Sequence, residues 1–287
     1  MGAVSFSLDI RMVEFLQEVL PLSIFVETGT FEGDSVASLL SRFSEIYTVD
    51  LSEPYYARAV ERFHSSNWVV AYNDDSPRVL ASLHSRLCEA SVLYWLDAHW
   101  CGVETIGNGR SHCPLLAELE AIGTLNSQSV VLIDDARLFL CTPPAPHETN
   151  AWPRFDEVLA TLRNMSDRHE IMVINDVIAF FPTAIGDSVA EYAKEHSIDW
   201  LSSLVRLKAL EEDHEQARLA SDELRAEQEM LRRVLAERLQ TIEGLKAEQE
   251  MLHEVLSARL KAIEELTEAL RSARLSNVRR IRRGRSD

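Results

Sequence analysis

The sequence predicts an α/β fold: a Rossmann-like, seven-stranded, mostly parallel sheet with an antiparallel last strand, followed by a long C-terminal coiled-coil helix. Three observations predict it. Seven short apolar runs occur in the first 200 residues, amphipathic segments separate the early runs, and a heptad pattern occupies the chain beyond residue 204. Strands that alternate with helices indicate βαβ units, which build a parallel sheet.

The strand predictions follow the apolar runs in chain order. These are IFVE (24–27), IYTV (46–49), WVVA (68–71), VLYWL (92–96), VVLI (130–133), IMVI (171–174) and VIAFF (177–181). Helical spacing of apolar residues lies between the early runs, at 36–43, 55–63 and 77–87. Only Asn175 and Asp176 separate the last two runs, and a two-residue connection of this kind predicts an antiparallel hairpin.

The region 204–275 has the composition and periodicity of a coiled coil. Leucine and isoleucine fall on two seven-residue lattices that are offset by four: 224, 231, 245, 252 and 266, and 235, 242, 256, 263 and 270. The segment AEQEMLRRVLAERLQTIEGLK (226–246) is followed directly by its near-repeat AEQEMLHEVLSARLKAIEELT (247–267). We expect a homo-oligomer through this coil, with a helix folded back on the first domain as the alternative.

Four polar residues also fall on the two lattices. They are Gln228, Arg238, Gln249 and Arg259. Polar residues at such positions cost stability, but they can fix the register and the number of strands in a coiled coil.

Charge limits the classes of partner. The net charge of −17 over 287 residues disfavours a broad nucleic-acid surface, so we expect no nucleic-acid partner. There is no apolar stretch of about 18 residues for a membrane span and no signal-peptide pattern at the N-terminus, which predicts a cytoplasmic protein. The basic tail (276–287) contains five arginines in VRRIRRGRSD. It can contact an anionic surface at the inner face of the membrane, or it can be a solubilising tail.

The first domain, residues 1–200, carries a candidate cofactor pocket. In FVETGTFEG an apolar strand enters a turn with two glycines, Gly29 and Gly33, which permit close approach of a ligand. Glu27 at the strand end disfavours a pyrophosphate and suits a cationic ligand, such as the sulfonium and ammonium groups of S-adenosylmethionine. Asp50 ends the second strand, where a carboxylate can accept hydrogen bonds from ribose hydroxyls.

The third strand leads into NDDS (73–76), whose side chains are placed to reach an adenine edge. Asp75 and Ser76 can also be ordinary helix N-caps. The cofactor prediction therefore depends on acids lying at three consecutive strand ends.

A metal site is predicted at the next two strand ends. Asp97 follows the fourth strand, and Asp134 and Asp135 follow the fifth. Neighbouring parallel strands would bring these carboxylates together, and their repulsion calls for a cation; oxygen ligands favour Mg²⁺ or Mn²⁺. The alternative is that the Asp134–Asp135 pair belongs to a turn or a cap. Zinc is also conceivable near Cys101 and Cys113, but the spacing matches no common zinc pattern.

Two further residues are assigned to the chemistry. A metal-bound hydroxyl has a lowered pKa, and a general base can take its proton. His99, beside Asp97, is the best candidate for that base by sequence, and a structural histidine is the alternative. Arg137, just after the metal pair, can bind or orient the substrate.

The segments FVETGTFEGDSV, IYTVDLS, NDDS, YWLDAHW, CPLLAELEAI and VLIDDARLF resemble a bacterial class I S-adenosylmethionine-dependent methyltransferase family that is often encoded with polysaccharide-building enzymes. More distantly, the chain is similar to metal-dependent macrocin-type sugar O-methyltransferases and to catechol-type enzymes. The resemblance covers residues 20–182. It implies cofactor contacts and metal ligands. The cofactor contacts would be Glu27, Gly29 and Gly33 at the methionine part, Asp50 at the ribose, and Asp75 and Ser76 at the adenine. Thr30 and Asp97 are further candidate cofactor contacts. The metal ligands would be Asp97, Asp134 and Asp135.

One position departs from the catechol-type pattern. Those enzymes have a lysine three residues after the first metal aspartate, and here Trp100 occupies that position. The identity of the base is therefore open, and a tryptophan there can stack on a sugar ring.

The sequence predicts a metal-dependent O-methyltransferase that uses S-adenosylmethionine and methylates a sugar hydroxyl of a surface glycan or glycosylated metabolite. The alternative is an inactive, methyltransferase-like scaffold that oligomerises through its coil. A nucleotide-sugar glycosyltransferase is disfavoured, because His99 occupies the third position of the Asp-x-Asp motif that such enzymes use.

Overall fold

The computed structural model describes residues 8–99, 113–145 and 147–283, with side chains up to residue 274. The chain divides into two units, Met1–Ile198 and Asp199–Asp287. The first contains the sheet, and the second is a single helix.

The sheet has seven strands and confirms the predicted fold class. They are β1 (Ile24–Thr28), β2 (Glu45–Val49), β3 (Val69–Tyr72), β4 (Val92–Leu96), β5 (Val130–Ile133), β6 (His169–Ile174) and β7 (Val177–Pro182). Their order across the sheet is β3-β2-β1-β4-β5-β7-β6. Strands β1 to β5 pair in parallel, and β7 lies antiparallel between β5 and β6. The turn between β6 and β7 is the predicted hairpin, with Asn175 in the left-handed region at φ 56°.

Eight α-helices of the first unit are described. They are α1 (Ile10–Val19), α2 (Asp34–Leu39), α3 (Glu53–Phe63), α4 (Ser76–Leu87), α5 (Leu115–Ile122), α6 (Ala136–Leu140), α7 (Phe155–Met165) and α8 (Gly186–His196). Short 3₁₀ turns lie at Thr149–Ala151 and Thr183–Ile185.

Helices cover both faces of the sheet, so alternate residues of each central strand enter different cores. On β4, Leu93 and Trp95 pack in one hydrophobic cluster, and Val92, Tyr94 and Leu96 pack in the other. Burial on both faces explains why the sequence shows continuous apolar runs for these strands.

The third strand begins one residue later than the sequence predicts. Trp68 precedes β3 and is 41% exposed. Its indole N–H donates to the carbonyl of Leu40 at 3.0 Å. The Trp68 side chain therefore attaches the residue that precedes β3 to the C-terminal end of α2.

The second unit is α9, which runs without interruption from Trp200 to Arg283. Asp199 caps it, because its Oδ1 accepts from the backbone amides of Leu201 and Ser202 at 3.0 and 3.1 Å. The helix includes the predicted coil and continues into the predicted basic tail. Within the described ranges, no helix has the length and apolar character needed to cross a bilayer.

Candidate active site

The carboxyl ends of four adjacent strands define the candidate site. Across the sheet, β2 lies on one side of β1 and β4 lies on the other. The chain therefore extends the sheet first in one direction from β1 and later in the opposite direction. Open α/β sheets bind ligands at such a switch point. The segments after β1, β2, β4 and β5 therefore meet at one crevice.

Gly29 joins the turn after β1 to the end of β4. Its φ is +86°, and a Cβ there would lie 2.4 Å from the carbonyl oxygen of Asp97. The backbone N–H of Asp97 in turn donates to the carbonyl of Thr28 at 3.0 Å. Gly29 is thus required by the close approach of two protein backbones, which brings the predicted cofactor turn against the predicted metal strand.

Glu27 lies inside the protein. The hydroxyl of Thr48 donates to its carboxyl at 2.8 Å, and the Thr30 hydroxyl lies 2.6 Å from that of Thr48. Burial raises the pKa of Glu27 to about 8, although hydrogen bonds from Thr48 and Ser35 partly offset this. The acid is therefore mostly neutral at pH 7, and both Glu27 and Thr30 have partners within the protein.

Asp50 holds the turn after β1 against the end of β2. Its Oδ2 accepts from the backbone N–H of Phe31 at 2.9 Å, and its Oδ1 accepts from that of Ser52 at 2.8 Å. Burial raises the pKa of Asp50, and these amide hydrogen bonds oppose the rise. Each oxygen keeps lone-pair capacity for a further donor.

Phe31 is a residue of this site that the sequence analysis did not identify. It lies between the two glycines at φ 47°, is 48% exposed, and has its ring centroid 4.9 Å from that of Tyr55. An exposed aromatic surface therefore lies beside Asp50. The signal in the sequence is a bulky aromatic residue within a glycine turn.

The predicted adenine contacts lie at the start of α4. Asp75 occupies the N-cap position, but its side chain makes no capping hydrogen bond. Ser76 is buried, and its hydroxyl donates to Oε1 of Glu118 at 2.5 Å. Glu118, on α5, is a buried acid that the sequence analysis did not single out, although it interrupts the apolar face of that helix. Burial raises its pKa, and hydrogen bonds from Ser76 and Thr28 lower it.

Three carboxylates form the cluster best suited to a metal. Ligand oxygens of Asp134, Asp135 and Asp176 all lie within 4.8 Å of one another. Asp135 adopts φ 54°, and its backbone N–H donates to the Asp134 carboxylate at 2.7 Å. Asp176 comes from the β6–β7 turn, and its position near β5 follows from the placement of β7 next to that strand. Asp97, the third predicted ligand, lies outside this group.

His99 links Asp97 to the cluster. Its Nε2 lies 2.7 Å from Oδ2 of Asp135 and 3.5 Å from Oδ1 of Asp97, and the ring packs edge-on against Trp152 at 5.3 Å. Burial alone would lower the pKa of His99, but the hydrogen bond to Asp135 and the surrounding carboxylates outweigh it and raise the pKa to about 9. The raised pKa favours the imidazolium form of His99, in which the Nε2–H donates a hydrogen bond to Oδ2 of Asp135.

Arg137 contributes the second positive charge. Its guanidinium contacts Asp135 at 2.5 Å and also pairs with Asp176, whose Oδ1 accepts from the Arg137 backbone N–H at 2.9 Å. This side chain is about half exposed. Asp176 thus fixes both the start of α6 and the orientation of Arg137.

The electrostatics of the cluster leave it acidic. Asp134, Asp135 and Asp176 outnumber the cations of His99 and Arg137 even when Asp97 is protonated. Burial and then repulsion from Asp135 raise the pKa of Asp134 to about 6, and burial raises that of Asp97 well above its usual range. An all-oxygen donor set with excess negative charge fits a hard divalent cation.

Trp100, the predicted substrate contact, lies outside the described residues.

No family model and no curated protein matches this chain. Among solved structures, an rRNA methylase from Streptococcus thermophilus is 18% identical at a TM-score of 0.39, over 60% of this chain and 95% of the other. A putative methyltransferase from Streptococcus mutans in complex with SAH is 16% identical at 0.41, over 60% and 96%. Magnesium protoporphyrin IX methyltransferase from Synechocystis PCC 6803 with bound SAM is 14% identical at 0.36, over 60% and 75%. These TM-scores are too low to support a statement about the activity of this chain.

Proposed function

We propose that the first unit is an S-adenosylmethionine-dependent, divalent-metal-dependent O-methyltransferase that acts on a sugar hydroxyl of a surface glycan or glycosylated metabolite. The observation that carries this proposal is the grouping of acids at one crevice. Asp50 follows β2, the Gly29 turn follows β1, Asp97 follows β4, and Asp134 and Asp135 follow β5.

The cofactor side of the crevice offers a ribose acceptor and an aromatic surface. Asp50 is fixed by two backbone amides and can still accept from ribose hydroxyls. Phe31 and Tyr55 supply the neighbouring exposed ring surface. A cationic ligand close to Glu27 would favour its ionised form, so binding of S-adenosylmethionine would release a proton from this buried acid.

On the acceptor side, Asp134, Asp135 and Asp176 would hold the metal, with Asp97 next to them across His99. When bound, the cation would lower the pKa of the acceptor hydroxyl and fix its position. Arg137 keeps Asp135 and Asp176 in place through paired contacts.

Nε2 of His99 lies 2.7 Å from Oδ2 of Asp135 and can donate to that carboxylate only when it carries a proton. Nε2 therefore cannot take the acceptor's proton while this hydrogen bond is kept, so a general-base role for His99 requires that the bond to Asp135 be broken.

Calorimetric titration with S-adenosylmethionine, with and without Mg²⁺, tests the proposal directly. We expect Asp50→Ala to weaken binding by about tenfold or more, since it removes a charge-assisted acceptor. Asp34→Ala is the matched control, because Asp34 is an exposed acid on the neighbouring helix. Absence of binding in the unsubstituted protein under both conditions would overturn the proposal.

The acceptor requires a second experiment. Labelled S-adenosylmethionine is incubated with the protein and with extracts from cells that lack it, with and without EDTA. A labelled glycan or glycosylated product, lost with EDTA, would support the proposed class. Labelled RNA, labelled protein or an EDTA-resistant product would contradict it.

The second candidate is an inactive scaffold that oligomerises through α9. The internal partners of Glu27 and Ser76 favour this reading, since two predicted cofactor contacts already have hydrogen-bond partners within the protein. Failure to bind S-adenosylmethionine in the first experiment would select it.

Contact between the basic tail and a membrane stays a prediction. Flotation with anionic vesicles should carry the full chain but not a chain that ends at residue 275. Equal behaviour of the two chains would contradict the prediction.

A further inference from the structure

The helix α9 presents a continuous apolar seam. Ten leucine and isoleucine side chains on the two lattices are 49–66% exposed. They are Leu224, Leu231, Leu235, Ile242, Leu245, Leu252, Leu256, Ile263, Leu266 and Leu270. No residue in the described parts of the chain covers them. An exposed apolar seam of this length marks an interaction surface.

We propose that this seam binds a second copy of the chain as an antiparallel coiled coil, in the register that places Gln228 opposite Arg259 of the second copy. The same register places Arg238 opposite Gln249 of the second copy. The midpoint of the pair then lies between Glu243 and Gly244.

The polar residues of the seam decide the orientation. In an antiparallel pair, each residue of one lattice faces a residue of the other lattice. Gln228 and Gln249 lie on one lattice, and Arg238 and Arg259 lie on the other. Each glutamine carbonyl can therefore accept a hydrogen bond from an arginine of the other chain. In a parallel, in-register pair, Arg238 and Arg259 would each face their own copy, which places like charges inside an apolar seam.

The apolar residues match in the same register. The facing pairs are Leu224 with Ile263, Leu231 with Leu256, Leu235 with Leu252, and Ile242 with Leu245. Leucine and isoleucine residues thus face each other through the middle of the coil, where each glutamine shares a layer with an arginine. Nearer the ends, Leu266 and Leu270 face Ser221 and Ala217 of the second copy. The internal repeat of 21 residues produces this match, because it displaces each glutamine and each arginine by the same distance.

One charge contact near each end of the coil is complementary in this orientation. Asp213 would face Arg274 of the second copy, and Glu211 and Glu212 would lie within one turn of that arginine. In the parallel orientation the acidic segment 211–213 would lie next to its own like-charged copy.

The residues that flank the seam favour the parallel orientation, but they contribute less to the free energy of association than the core layers do. In that orientation Glu227 would approach Arg232 of the second copy, and Val234 would approach Leu239. An exposed ion pair of this kind contributes little. An arginine that is desolvated opposite another arginine carries a larger cost. The core layers therefore outweigh the flanks.

Sedimentation equilibrium of the full chain tests the pairing. We expect the unsubstituted protein to be a dimer at micromolar concentration. Ile242→Asp, at the centre of the seam, should weaken association by more than about a hundredfold, because it buries a carboxylate without a partner. Ala247→Asp is the matched control, since it places the same charge off the seam, and it should leave the dimer intact. A monomeric unsubstituted protein, or an Ile242→Asp dimer of unchanged affinity, would overturn the proposal.

Disulfide formation tests the orientation. In the proposed pair, two copies of residue 224 lie about 58 Å apart along the coil, while residue 224 of one copy faces residue 263 of the other. Leu224→Cys alone should form no disulfide through residue 224, whereas a mixture of the Leu224→Cys and Ile263→Cys proteins should form one. The unsubstituted protein controls for its native cysteines, and peptide mass mapping locates each bond. A 224–224 disulfide would establish a parallel pair and overturn the proposed orientation. Neither measurement uses a cofactor, so the outcome is independent of the proposed activity.

Discussion

The buried acid Glu27 makes the stability of the first unit depend on pH in a predictable direction. Its pKa is about 8 in the folded chain, against an ordinary value of 4.5. The folded state therefore binds a proton more tightly than the unfolded state does. Stability from this group is fully present below pH 4.5 and is lost as the pH rises through 8.

The magnitude follows from the size of the shift. The difference between 8 and 4.5, at 1.36 kcal/mol per pH unit, corresponds to about 5 kcal/mol in total. Of this, about 4 kcal/mol falls between pH 5 and pH 9. Glu27→Gln has the shape of the protonated acid and does not titrate, so it should not show this loss.

The assay is denaturant unfolding at pH 5, 7 and 9, followed by the fluorescence of the buried Trp95 and Trp152. From pH 5 to pH 9, the unfolding free energy of the unsubstituted protein should fall by about 4 kcal/mol relative to that of Glu27→Gln. Glu61→Gln, at an exposed position, is the control and should follow the unsubstituted protein. Parallel pH dependences for Glu27→Gln and the unsubstituted protein would refute the reasoning.

Three further predictions concern the residues around the crevice. Gly29→Ala should lower the unfolding free energy by about 3 kcal/mol or more, because the new Cβ meets a backbone carbonyl as well as a positive φ. Gly123→Ala, where φ is positive but the new Cβ meets only ordinary van der Waals contacts, should lower it by only about 1–2 kcal/mol, and equal losses would contradict the close approach. Asp176→Asn should weaken Mn²⁺ binding, measured by electron paramagnetic resonance, by about tenfold or more, and unchanged affinity would exclude Asp176 from the metal site. Ser76→Ala should cost about 1–3 kcal/mol in chemical denaturation, because it leaves the buried Glu118 without that donor, and a neutral result would contradict this pairing.

The sequence was sufficient to predict the sheet because burial on both faces leaves an unmistakable pattern. Continuous apolar runs such as VLYWL are typical of strands that helices cover on both faces, and Asn175–Asp176 leaves room only for a tight connection. The ends of the strands then predicted where the acids at 27, 50, 97, 134 and 135 would lie. These properties are local, so each can be read from a few consecutive residues.

The contacts inside the site depended on residues that are distant in the chain. Asp176 joins Asp134 and Asp135 only because β7 lies beside β5. Ser76 turns inward because Glu118, on another helix, accepts its hydroxyl. No local pattern encodes either pairing, because each depends on how the elements pack.

What the sequence determined by itself is the class of fold, the heptad seam and the strand ends where the polar chemistry lies, since all three follow from side-chain periodicity. The tertiary structure decided which acids meet, which of them are buried, and in which direction the pKa of each shifts. Glu27 shows the difference: its place after β1 follows from the sequence, but its raised pKa follows from the surrounding protein that excludes water from its carboxyl group.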